Sequence, residues 1–223
     1  MKKQINQKLP AFTAIILFSI LIFNGSCSKD AKSSYQGNSR IVYTNVAPDS
    51  VILKSTIDSF QLDMNHDGID DFVFSASVNG STCGADPLFG GYQYYINISV
   101  APANENNEII NDGTYALAMD SSSAIVSDSS WANAPQTLIT ALIRSGGRCI
   151  TQPFHEGYWL NQSDKYLGLR FTKGNNIYYG WARLSSSYHI IVNPFHLSNG
   201  QLILKDYAYN SIPNQPILAG QTK

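Results

Sequence analysis

The oxygen-bearing side chains of Asp63, Asn65, Asp67 and Asp71 stand at the first, third, fifth and ninth positions of one run, Asp63-Met-Asn-His-Asp-Gly-Ile-Asp-Asp71. Calcium is a hard cation that takes roughly six to eight oxygen ligands, and acidic loops of this spacing wrap it with a glycine at the sixth position. Here that residue is Gly68, free to take the positive φ of a sharp turn. Asp63, Asn65 and Asp67 would each offer a side-chain oxygen, Ile69 its backbone carbonyl, and Asp71 a carboxylate directly or through water. His66, at the fourth position, is expected to point outward. The carboxylates of Asp63, Asp67, Asp70 and Asp71 repel one another without a cation. That favours a structural Ca2+ over the alternative, an acidic turn holding no metal, which Asp, Asn and Gly also form.

Other chemistry is sparse. The chain has no G-x-S-x-G elbow, no H-E-x-x-H pair and no phosphate-binding glycine loop. His66, His155, His189 and His196 are scattered without ligand spacing. The only glutamates are Glu105, Glu108 and Glu156. Glycoside hydrolysis needs two facing carboxylates, and Glu156 with Asp206 is the one pair to nominate. Aromatic residues are plentiful, with 13 Tyr, 10 Phe and 3 Trp. Tyr92, Tyr94, Tyr95, Tyr158 and Trp159 are candidates for stacking on sugar rings, against the alternative that most aromatics fill a core.

The elements that must position these residues are strands. Tyr92, Tyr94, Ile96, Ile98 and Val100 alternate with Gln93, Tyr95, Asn97 and Ser99, a period of two. Leu167, Leu169 and Phe171 share one face, Lys173-Gly-Asn-Asn176 turns, and Ile177 to Leu184 returns as a hairpin. Ile41 to Val46, Ser59 to Leu62, Phe72 to Val78, Tyr188 to Val192 and Leu202 to Tyr209 are further strands. The acidic run therefore joins two strands. Trp131 to Arg144 reads equally as a short helix or a strand, since Thr137 to Ile143 mixes Ala and Leu with β-branched residues. Many short strands with Gly, Asn and Ser turns predict an all-β fold, an antiparallel β-sandwich or jelly roll with few or no helices.

The acidic run resembles the DxDxDGxxD calcium loops of thrombospondin type 3 repeats, dockerins and integrin-type propeller blades. It departs from an EF-hand, because Phe74 and not Glu stands at the twelfth position. Over most of the chain, Leu62 to Phe72, Tyr166 to Phe171, Tyr179 to Leu184, Asp206 to Tyr209 and Pro216 to Gly220 together resemble bacterial exported β-sandwich proteins. Some of those carry C-terminal surface-sorting signals. The resemblance implies a fold and an exported location but no activity. Trp181 and Tyr207 are expected to pack in or beside the core.

The N-terminus reads as an export signal, residues 1–26. Lys2, Lys3 and Lys8 precede an uncharged, apolar run from Ala11 to Phe23, too short to span a bilayer comfortably. Asn24-Gly-Ser-Cys27 resembles a lipobox, in which the Cys is lipidated and begins the mature chain. The alternative is an ordinary cleaved signal. Residues 27–40 read as the lipidated Cys27 and a flexible tether, and residues 41–223 as the β-sandwich domain. If Cys27 carries lipid, Cys83 and Cys149 remain as a pair in an oxidising compartment. A disulfide between them closes a loop of about 67 residues and stabilises by about 4 kcal/mol in the chain-entropy model; the alternative is two buried free thiols. Removing Lys2, Lys3 and Lys8 with the signal leaves 12 basic against 16 acidic residues, so nucleic acid is excluded as a partner.

These readings predict a lipid-anchored, extracytoplasmic, calcium-binding β-sandwich at the bacterial outer membrane or cell surface, with the periplasmic face as the other location. Its expected role is a non-catalytic binding or adhesion module for a glycan or surface protein. The alternatives are an extracytoplasmic glycan hydrolase and a structural subunit of a surface complex.

Overall fold

The alternation read along residues 92–100 is the actual frame of the molecule. In β4 (Gly91–Pro102), Ile96, Ile98 and Val100 are buried while Tyr95 and Asn97 are exposed, as a strand with one face on a core requires. The computed structural model describes residues 40–52, 57–83, 91–145, 154–189 and 199–223. Among them the chain is all β, with no helix. Residues 1–26 (read as a signal), Cys27, most of the segment read as a tether, Cys149 and His196 lie outside the described residues. The compact unit runs Gly37–Lys223.

Two antiparallel sheets pack face to face. One has six strands, ordered β1 (Ile41–Ile52), β12 (Asn199–Asn210), β11 (Asn176–His189), β10 (Lys165–Lys173), β5 (Glu108–Ile110) and β7 (Trp131–Ala132). The other has five, ordered β2 (Ile57–Leu62), β3 (Phe72–Cys83), β4, β8 (Gln136–Ser145) and β9 (Phe154–Glu156). Phe72, Phe74, Ile98, Val100 and Ile139 of the five-stranded sheet meet Leu167, Leu169, Phe171, Leu184, Leu202 and Leu204 of the six-stranded one. Each such side chain contributes about 1.5–3 kcal/mol on burial.

A second, smaller core lies on the outer face of the six-stranded sheet. Tyr179, Trp181 and Ala208 are covered there by Ile125, Ile217 and Ala219. The cover is a two-stranded ribbon, β6 (Ala124–Ile125) with β13 (Ile217–Leu218). Trp181 Nε1 donates to the Gln221 carbonyl at 3.2 Å, which ties the cover down. Trp181 and Tyr207 are thus packing residues, 1% and 6% exposed, as expected.

The stretch Trp131 to Arg144 resolves into strands, β7 and then β8, and not a helix. β8 pairs with β4 on one side and β9 on the other, so the ladder decides between propensities that sequence left balanced.

Candidate functional site

Leu62 pairs with Phe72, so Asp63 to Asp71 is the loop of the β2–β3 hairpin. Gly68 takes φ +85°, in open space. The first carboxylate organises the loop. Asp63 accepts the backbone N–H groups of Asn65 at 3.2 Å, Asp67 at 3.3 Å and Gly68 at 2.7 Å. Asp67 accepts the N–H of Ile69 at 3.1 Å. The ninth-position Asp71 is buried and turns back into the loop, accepting the N–H of Met64 at 2.8 Å.

The loop joins the two sheets. Asn107, fully buried, donates to the carbonyl and carboxylate of Asp71 at 3.0 and 3.2 Å. Its own carbonyl accepts the N–H of Thr172 in β10 at 3.0 Å. Lys173 Nζ lies 3.5 Å from Asp67. Met64 is 0% exposed, and a Cβ on Gly180 of β11 would come within 2.7 Å of its Cε. His66 is exposed at its backbone turn, yet Nε2 lies 3.1 Å from Thr44 Oγ1 and 3.2 Å from the Tyr207 hydroxyl. It leans on the six-stranded sheet, where an outward orientation was expected. Nothing in the sequence pointed to Asn107 or Lys173, because each acts on a residue distant in the chain.

Burial pushes the Asp71 carboxyl up to about 6. The hydrogen bonds from Met64 and Asn107 pull it down, and the charges of Asp63 and Asp67 push it further up. Asn107→Ala would leave Asp71 and the Thr172 N–H short of a partner. The expected loss is about 2–3 kcal/mol in urea unfolding; a loss under about 0.5 kcal/mol would show that the bridge carries no stability.

The donor chemistry suits a hard cation. Asp63, Asn65, Asp67, the Ile69 carbonyl and Asp71 supply only oxygen, and Asn65 Oδ1 is buried without a hydrogen-bond partner. Among the described residues, no three His, Cys, Asp or Glu side chains converge as a ligand group. The carboxylates would therefore have to rotate onto a cation.

The nominated catalytic pair does not come together. Glu156 lies opposite Thr140, which lies opposite the exposed Asn97, on the outer face of the five-stranded sheet. Asp206 lies on the outer face of the six-stranded sheet, held by Arg183 Nε at 2.9 Å and the Tyr43 hydroxyl at 2.9 Å. Of the stacking candidates, Tyr92, Tyr95 and Tyr158 are exposed and Tyr94 is half-buried. Trp159 is 0% exposed, with Nε1 donating to the Ala116 carbonyl at 3.0 Å, which removes it from any surface. Cys83 closes β3 and is disulfide-bonded.

No family model matches the chain, and no curated protein or solved structure matches it either.

Proposed function

We propose that this chain is a non-catalytic extracytoplasmic binding module, stabilised by a structural Ca2+ in the loop Asp63–Asp71. One observation carries the reading. The loop with calcium spacing is also the joint between the sheets, and at that joint Asn65 Oδ1 is buried with no partner. A cation bound by Asp63, Asn65, Asp67, Ile69 and Asp71 would take that lone pair and relieve the repulsion among the carboxylates. The exported location rests on the signal-like N-terminus and on the disulfide at Cys83, a bond of oxidising compartments. Its proposed partner is Cys149, and Cys27 is the proposed lipid attachment to the outer membrane or cell surface.

Calorimetric titration of the chelator-treated full chain with CaCl2 tests the reading. It should give about one calcium per chain, with the affinity at least tenfold weaker in Asp67→Asn. No heat with the wild-type chain, together with an unchanged melting temperature, would remove the calcium site.

A further inference from the structure

The two outer faces of the sandwich differ in a way the loop does not explain. The six-stranded sheet is roofed by the β6–β13 ribbon, whereas the five-stranded sheet carries a line of aromatic rings in the open. Tyr158 is 46% exposed, Tyr95 42% and Phe154 40%. Register places Tyr95 and Phe154. Tyr95 of β4 lies opposite Leu142 of β8, and Leu142 lies opposite Phe154 of β9, so the three share one row on the face away from the core. Leu142 is buried within this row although it belongs to neither core. The row's two rings are two inter-strand spacings apart, roughly 10 Å.

The surroundings are polar, with a charged residue on each side. The row on one side is Ser81, Gln93 and Arg144, and the row on the other is Ser77, Asn97, Thr140 and Glu156. At its end the Tyr115 hydroxyl donates to Glu156 at 2.6 Å and the Tyr158 hydroxyl donates to Asp112 at 2.5 Å. The two tyrosine rings meet edge to face, 6.1 Å apart. Rings fixed in this way lose little freedom when a ligand binds. Each carboxylate keeps lone pairs that can accept further hydroxyl protons.

We propose that the row of Phe154 and Tyr95, with Tyr158 at the end of the neighbouring row, binds a neutral saccharide chain laid across β9, β8 and β4. The proposal rests on the reading of the chain as a binding module and names its ligand class. Pyranose rings present apolar C–H faces to aromatic rings and hydroxyls to amides and carboxylates, and both surfaces alternate here. The apolar strip is one row wide and flanked on both sides by hydroxyl, amide and charged groups, unlike the broad apolar centre of a protein interface. Asp112 and Glu156 disfavour an anionic ligand at one side, and Arg144 disfavours a cationic one at the other.

Affinity electrophoresis of the full chain in detergent through gels containing laminarin, xylan, mannan or starch tests the proposal. At least one should retard the protein. Tyr158→Ala and Tyr95→Ala should each weaken that retardation about tenfold or more, while Leu218→Ala, on the roofed side, leaves it intact; thermal melts verify that each variant is folded. No retardation by any of the four, or retardation that both tyrosine variants keep, overturns the saccharide site and leaves the calcium-stabilised module to its own titration. Retardation accompanied by new reducing ends keeps the site and overturns the non-catalytic reading instead.

Discussion

In calcium-free buffer the protein should melt at a higher temperature at pH 5 than at pH 7, and calcium should abolish that difference. The first half follows from Asp71. Its carboxyl titrates at about 6 in the folded chain, raised from 3.8. A group raised by folding stabilises below its unfolded value and loses that contribution as pH rises through its folded one. The full effect of such a shift is about 3 kcal/mol, and the part falling between pH 5 and pH 7 is about 1 kcal/mol. A domain of this size should then melt about 2–4 °C higher at pH 5.

Calcium bound at the loop would cancel that difference, because it binds the ionised form and would hold Asp71 ionised at both pH values. At a free concentration of about 100 times the dissociation constant it adds about 2.7 kcal/mol at pH 7, and protons compete for Asp71 below about 6. Melts at both pH values, with EDTA and with calcium, measure all four corners. Asp71→Asn should flatten the pH dependence in EDTA and abolish the calcium shift. A wild-type chain melting at one temperature in all four conditions would refute both halves.

Among the described glycines, Gly157 should be the one most damaged by an added methyl. Gly157 takes φ +93°, outside the range that side chains adopt comfortably. A Cβ there would overlap the carbonyl oxygen of Leu138 and stand 2.9 Å from its carbonyl carbon. Both obstacles are backbone, so neither can swing aside. The next two residues point opposite ways, Tyr158 outward and Trp159 into the core, where its carbonyl also accepts the Ser186 hydroxyl. A shift at Gly157 dislodges that tryptophan. We expect a loss of about 3 kcal/mol or more in denaturant unfolding. Gly174 is the control. It has φ +61° with nothing within 4 Å, so Gly174→Ala should cost only the backbone strain, about 1 kcal/mol. Equal losses at the two positions would mean that the contact with Leu138 is not what makes Gly157 necessary.

A strand with one wet face was legible in the sequence, and so was a tight hairpin turn. β4 follows its alternation, and Lys173 pairs with Asn176 across the expected turn of β10–β11, whose strands are covered on both faces. β8 was ambiguous for a physical reason. Leu138, Ile139, Ala141 and Leu142 are all buried, and a bulge opposite Ile98 and Ser99 breaks their period. β5, β6, β7, β9 and β13 have two or three residues each, too few for any periodicity to appear. The loop from Asp63 to Asp71 was legible because its residues are adjacent in the chain. Its supports were not, since Asn107 and Lys173 reach it only once the sheets have packed. Glu156 and Asp206 illustrate the converse: residue type nominated them, and topology placed them on opposite outer faces.

The pairing of β1 with β12 has a consequence for how the chain is made. Tyr43 and its hydrogen-bond partner Asp206 are 163 residues apart. A polypeptide delivered N-terminus first presents β1 long before the strand it pairs with. Until then the six-stranded sheet lacks both its ladder for β1 and the final cover over Trp181. Such distant pairing makes closure late and slow. A chain cut short before about Asn210 leaves β1 unpaired, an open edge for proteases and chaperones until β12 arrives.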